Sequence, residues 1–305
     1  MATRPLPLFS YAATVGIHNS LLLFTALFLP RTSLTLFGNT SNFPFLQSAS
    51  SLDRPQPEFL EALTASPPLT LAWLCAGVSL ISFSWGVRVR RQAYEQHKPV
   101  AKADFEAKKG EVEWQKQGTI NLRKSFISTL PVAAIFHALI VVFGAPITSY
   151  HLQTFLLALL LSLLTYFPTA YVLGPPSFAM FKDGQADVVL RFTWVRIFAE
   201  FKPRTDTERA LLYPVLGAMI GTWCGVIPIG LDWDRPWQAW PLTPAYGAIF
   251  GHVLGSLAAF SVSFIYLLAQ ANIQATAELD TIAKAPESST PKTKATKAKA
   301  KKKVQ

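Results

Sequence analysis

HLQTFLLALLLSLLTYFPTAYVL, residues His151–Leu173, contains no Asp, Glu, Lys or Arg. An α-helix rises 1.5 Å per residue, so about 20 apolar residues cross a hydrocarbon core roughly 30 Å thick. This stretch meets that length. Within hydrocarbon a lone segment must satisfy its own backbone N–H and C=O groups, and a helix does so. Working outward, five more blocks have the same character: Leu8–Leu29, Pro68–Val87, Ser125–Gly144, Leu211–Leu231 and Leu242–Leu268. Pro131 and His137 interrupt the third block, but proline is tolerated in membrane helices. The N-terminal block is broken by His18 and Asn19, so it reads as the first span rather than a cleavable signal.

Composition agrees. Of 305 residues, 50% are hydrophobic and 15% charged, with a mean hydropathy of +0.29. Soluble domains carry about a quarter charged residues. The net charge of +10 is not spread over a globular surface. Eight lysines fall between Lys284 and Lys303, and ten basic residues lie between Arg88 and Lys124. That leaves no basic domain to read nucleic acid, and basic segments beside apolar spans sit against anionic lipid. Cys75 and Cys224 lie inside apolar blocks and imply no disulfide framework.

Loop charge sets the orientation. Lys and Arg alternate in abundance from loop to loop, 25 on one side of six spans and three on the other (Arg31, Arg54 and Arg235). The positive-inside rule then puts both termini in the cytosol. The expected fold is all-α: a polytopic membrane protein of about six transmembrane helices over residues 1–270. A disordered, lysine-rich cytosolic tail is expected over 271–305. Within the second cytosolic loop, Val188–Lys202 places Thr193, Arg196 and Glu200 on one helical face. Phe192, Val195, Phe198 and Phe201 lie off it. This stretch reads either as a helix in the interface with Trp194 near the headgroups, or as part of a longer loop.

Two glycine stripes follow. Gly217, Gly221 and Gly225 lie on the fifth span, and Gly247, Gly251 and Gly255 on the sixth. Spacing of four puts each stripe on one face, where another backbone can approach. The expected partner is the neighbouring span of this chain; a helix of a partner subunit is the alternative. Between the spans lies Leu231-Asp-Trp-Asp-Arg-Pro-Trp-Gln-Ala-Trp-Pro241. Each of Asp232, Asp234 and Arg235 would cost about 2.5–3.5 kcal/mol at the centre of a span, so they belong outside it, on the lumenal side. Trp233, Trp237 and Trp240 suit the interface. With Pro236 and Gln238 these residues form a short, stiff turn that could hold a lipid headgroup or dock a partner. Asp232 and Asp234 also have the spacing of a pair that could ligate a divalent metal. No lumenal cluster completes such a site, since Glu58 and Glu61 are isolated, and no metal or cofactor is expected.

His18, His137 and His252 fall within spans, and each is expected to bond a hydroxyl on a neighbouring helix. Asn39-Thr-Ser is a glycosylation acceptor pattern in a lumenal loop. Lys302 and Lys303 stand where a dilysine retrieval signal would place them.

Several of these segments together resemble the fungal branch of the PIG-F family of glycosylphosphatidylinositol (GPI) anchor synthesis. The carrying residues are Tyr213-Pro214, the glycines of span five with Trp223, Ile227 through Pro241, the glycines of span six, and Phe143-Gly-Ala-Pro146. Gly230 stands where the family often has proline. The resemblance implies a multi-pass protein of the endoplasmic reticulum membrane. It implies a non-catalytic, stabilising subunit for a large, metal-dependent ethanolamine-phosphate transferase, with no catalytic residue of its own. Two rival readings remain: a membrane-embedded transferase using Asp232 and Asp234, and a lipid translocator lined by His18, Asn19, His137 and His252.

Overall fold

The computed structural model describes residues 8–32, 57–97, 104–176 and 184–284. Asn39, Lys302 and Lys303 lie outside them. Among the described residues the fold is helical throughout. The α-helices are α1 (Leu8–Phe28), α2 (Glu58–Thr64), α3 (Pro67–His97), α4 (Asp104–Val142), α5 (His151–Leu173), α6 (Gln185–Trp194), α7 (Asp206–Val226) and α8 (Leu242–Lys284). Six of them, all but α2 and α6, lie in segments long and apolar enough to cross a membrane. They coincide with the six apolar blocks. Contacts divide the chain into two compact units, Met1–Phe264 and Ile265–Gln305.

In the first unit α5 is the central helix. Its sequence is apolar on every side, and residues on every side are buried, from Leu157 and Ala158 through Leu164 to Phe167 and Ala170. Leu157, Leu160 and Leu164 meet Leu22 of α1, Leu71, Leu74 and Val78 of α3, and Ala245, Ala248 and Ile249 of α8. A helix hydrophobic all round belongs in such a position. In the second unit the helix continues through Lys284. The tail expected from 271 is therefore helical as far as the structure describes it. Ala271 to Ala283 has four alanines and no Gly or Pro, so it extends an existing helix at little cost.

Much of the basic stretch between the second and third spans is also helical, as extensions of α3 and α4. Arg90 joins the two. It is only 7% exposed, and its Nη2 donates to the Trp114 carbonyl at 2.7 Å. Its guanidinium lies over the rings of Trp114 and Tyr171, with centroids at 4.4 and 5.7 Å. Stacking on aromatic faces lets an arginine be buried without a carboxylate.

The stretch from Val188 is helical as far as Ala199, as the first of its two expected readings has it, but in two parts. It is α6 followed by a π-helical turn, Val195–Ala199. Trp194 is no free headgroup anchor. Its indole N–H donates to the Gly174 carbonyl at 3.0 Å, and its ring packs on Tyr166 and Phe198. Val189, Phe192 and Val195 remain exposed. Arg196 binds both carboxylate oxygens of Glu208, at 2.7 and 2.8 Å, which fixes the approach to α7. That pairing holds the guanidinium pKa above its ordinary value.

The glycine stripes of α7 and α8 face each other. A Cβ at Gly217 would fall on the Gly251 carbonyl oxygen, one at Gly221 on that of Gly247, and one at Gly255 on that of Tyr213. The obstacle is backbone each time, so no side chain can move aside.

Beside this contact lies a buried polar layer. His18 Nε2 is 3.0 Å from His252 Nε2, and the two residues are 2% and 1% exposed. Trp85 stacks on His18 with centroids 4.4 Å apart. Ser256 donates to Asn19 Oδ1 at 2.7 Å. The expected hydroxyl partner of His18 and His252 is therefore wrong: each has the other. His137 packs near Phe155, and its buried Nδ1 has no hydrogen-bond partner among the described residues. The spacing around a lone histidine in one helix does not say which residue of another helix it meets.

Two outcomes follow. Gly221→Ala should destabilise the protein by about 1–3 kcal/mol through overpacking. Gly230→Ala, with nothing within 4 Å of the added carbon, should leave it unchanged. Heating in detergent followed by size exclusion reads both. His18→Leu strands the buried His252 and should cost about 1–3 kcal/mol. Adding His252→Leu should cost less than its effect alone, because the stranded group is removed.

Candidate functional site

The turn between α7 and α8 is built from backbone geometry first. Pro228 is the second residue of a short 3₁₀ helix, Ile227–Gly230, and Pro236 is the first of another, Pro236–Gln238. Proline suits the first position of such a helix because its ring presets φ and its missing N–H is not needed there. Between them Leu231 is extended, and Asp234 takes a left-handed φ of 48°. Asp tolerates that conformation better than most residues.

Gln238 closes the turn. Its Nε2 donates to the carbonyls of Pro228 and Leu231, each at 2.7 Å, and its Oε1 accepts from the Arg235 N–H at 2.7 Å. One amide thus satisfies three backbone groups on both limbs. The sequence marks Gln238 as part of the turn but gives no sign that it is the staple.

The three indoles separate. Trp233 and Trp237 meet edge to face, centroids 5.7 Å apart. Trp240 turns the other way. It packs against the core, and its N–H donates to Thr154 Oγ1 at 3.0 Å, at the start of α5. Thr154 had no signal in the sequence. The Trp240–Pro241 peptide is cis. Pro236 is buried and Arg235 half-buried, while Asp232, Trp233 and Asp234 are exposed. Neither carboxylate has a hydrogen-bond or ion-pair partner among the described residues. No third His, Cys, Asp or Glu joins them among those residues to hold a metal.

Next to the turn, between α4, α5 and α7, is an apolar cavity of about 490 Å³. Phe143, Gly144, Ala145 and Pro146 line one wall, and Trp223, Ile229 and Trp240 another. Gly144, at φ 107°, ends α4 in a conformation only glycine adopts freely. Two segments far apart in the chain, each carrying the resemblance noted above, therefore share one cavity.

Comparison with known proteins gives a consistent picture. The human protein "GPI ethanolamine phosphate transferase, stabilizing subunit" is 37% identical over 120 residues, 39% of this chain and 48% of that one. "Glycosylphosphatidylinositol anchor biosynthesis protein 11" of Pyricularia oryzae is 39% identical over 137 residues, 45% of this chain and 44% of its own length. The Neurospora crassa protein of the same name is 33% identical over 165 residues, 52% and 53% of the two chains. This chain thus spans about half the length of the curated relatives it matches. No solved structure matches it. The profile of the GPI biosynthesis protein family Pig-F matches residues 56–260, which hold α2 to α7, the Gln238 turn and the stripe-bearing part of α8. With more than half of its length so matched, the chain belongs to the Pig-F family.

Proposed function

We propose that this chain is a non-catalytic, stabilising subunit of a GPI ethanolamine phosphate transferase in the endoplasmic reticulum membrane. The observation that carries the reading is the turn. It is locked from within by Gln238 and from below by Trp240, yet it presents Asp232 and Asp234 outward with no partner of their own among the described residues. Rigid elements that expose unsatisfied polar groups bind at low entropic cost. The names of the relatives point the same way. Both termini face the cytosol and the turn faces the lumen, as loop charge indicates. Asp232, Trp233, Asp234, Arg235 and Trp237 meet the lumenal part of the catalytic subunit or its lipid substrate. Pro236, Gln238 and Trp240 hold them in place. The neighbouring cavity takes an apolar group, from partner or lipid.

The competing reading makes Asp232 and Asp234 metal ligands of an enzyme. Among the described residues no third His, Cys, Asp or Glu joins the pair, so a cation there would take most of its oxygens from water or substrate.

Removing this chain should lower the amount of catalytic subunit recovered from membranes; a catalytic subunit that stays abundant and active without it refutes the proposal. Gln238→Ala removes three hydrogen bonds worth about 1 kcal/mol each and should weaken co-purification while the chain itself still accumulates. Asp232→Ala and Asp234→Ala should weaken assembly. Full assembly with lost turnover would instead favour the metal-ligand reading.

A further inference from the structure

At the end of the bundle away from the turn, α1 and α3 form a polar cup of about 420 Å³. Ser10 and Thr14 line it from α1; Arg88, Arg91, Gln92 and Glu95 line it from α3. The spacing explains why. Ser10 and Thr14 are one turn apart on one face, and Arg88, Arg91 or Gln92, and Glu95 recur on one face of α3. Gln92 Nε2 donates to Thr14 Oγ1 at 3.3 Å, and Thr14 in turn donates to the Ser10 carbonyl at 2.8 Å. The first of these bonds joins the two walls, and the second lies within α1.

Arg88 is the unusual member. It follows the apolar block that ends at Val87 and is half-buried, yet no carboxylate pairs with it among the described residues. Arg90, two residues on, is also buried, but it is covered by Trp114 and Tyr171. Among the described residues no aromatic ring covers Arg88 in this way. Its charge lies at the level where apolar sequence gives way to polar sequence, which is where lipid phosphates lie. Arg91 stands about 4.5 Å further out along the axis, and Glu95 about 10 Å. Two guanidinium groups and one carboxylate leave the cup a net charge of +1, and the acid is at the outer rim.

We propose that this cup binds the phosphate of a membrane phospholipid, with Arg88 and Arg91 as its donors and the Ser10 hydroxyl beside them. Guanidinium groups present forked N–H donors that match phosphate oxygens, and charge-assisted bonds of this kind are the strong ones. The single net positive charge matches a phosphodiester. The bound lipid caps the junction of α1 and α3 and covers Arg88. It does not depend on the proposed transferase partner, because the cup lies at the opposite end from the turn and is complete within this chain.

Native mass spectrometry of the purified full chain in detergent tests this, with dioleoylphosphatidylglycerol as the probe. The wild-type chain should retain one copy. Arg88→Gln with Arg91→Gln should weaken retention at least about ten-fold, as expected for two lost charge-assisted contacts. Lys124→Gln, which removes an exposed charge elsewhere, should change it by less than about two-fold. Dioleoylglycerol, lacking the phosphate, should not compete. Inorganic phosphate at millimolar concentration should not displace the lipid. Equal retention by the double variant, equal loss in Lys124→Gln, or competition by dioleoylglycerol would overturn the proposal. Displacement by inorganic phosphate would show a site for a soluble anion and overturn the lipid assignment. Should the double variant fail to fold, Arg91→Gln alone alters only an exposed side chain. It should still weaken retention measurably, and unchanged retention there counts against the site.

Discussion

The contact between the backbones of α7 and α8 sets the geometry of the turn that joins them. In hydrocarbon there is little hydrophobic drive to bring two helices together, because lipid tails are as apolar as leucine. Association rests on close van der Waals packing, and glycine permits the closest approach. Gly217, Gly221 and Gly225 meet Gly251, Gly247 and Thr243 in antiparallel register. That register fixes the distance the connecting turn must bridge. The turn then needs two prolines, a left-handed Asp234 and the Gln238 amide to cross it while leaving its carbonyls satisfied.

The membrane class, the six spans and the pairing of the glycine stripes were legible because each depends on a local pattern: block length, or a residue every fourth position. The long helical extensions of α3 and α4 were less so. They are polar, and their order comes from Arg90 stacking on Trp114, a contact between residues on two different helices. The pairing of His18 with His252 spans 234 positions and leaves no mark in either helix. A single sequence shows that each histidine is buried, not what it meets.

At the site, the stiffness of the turn was legible from its prolines, but the division of labour within it was not. Three tryptophans of similar spacing read alike in sequence. In the structure Trp233 and Trp237 form one pair and Trp240 serves as an anchor bonded to Thr154. The difference follows from the chain reversing between them. Residues on opposite sides of a reversal face opposite ways, and periodicity does not describe a reversal. Asp232 and Asp234 keep their place as the exposed polar pair, now with a supporting frame that accounts for their fixed position.

The pairing of α1 with α8 has a consequence for biosynthesis. A ribosome delivers α1 to the membrane long before α8 exists. Throughout that interval His18 and Asn19 lack the partners they hold in the finished protein, His252 and Ser256. The core around Leu22 also lacks Ala245, Ala248 and Ile249. This core therefore closes only once α8 has entered. Until then the nascent chain displays unsatisfied polar groups within the bilayer, the kind of feature by which membrane chaperones and degradation factors distinguish an unfinished protein from a finished one.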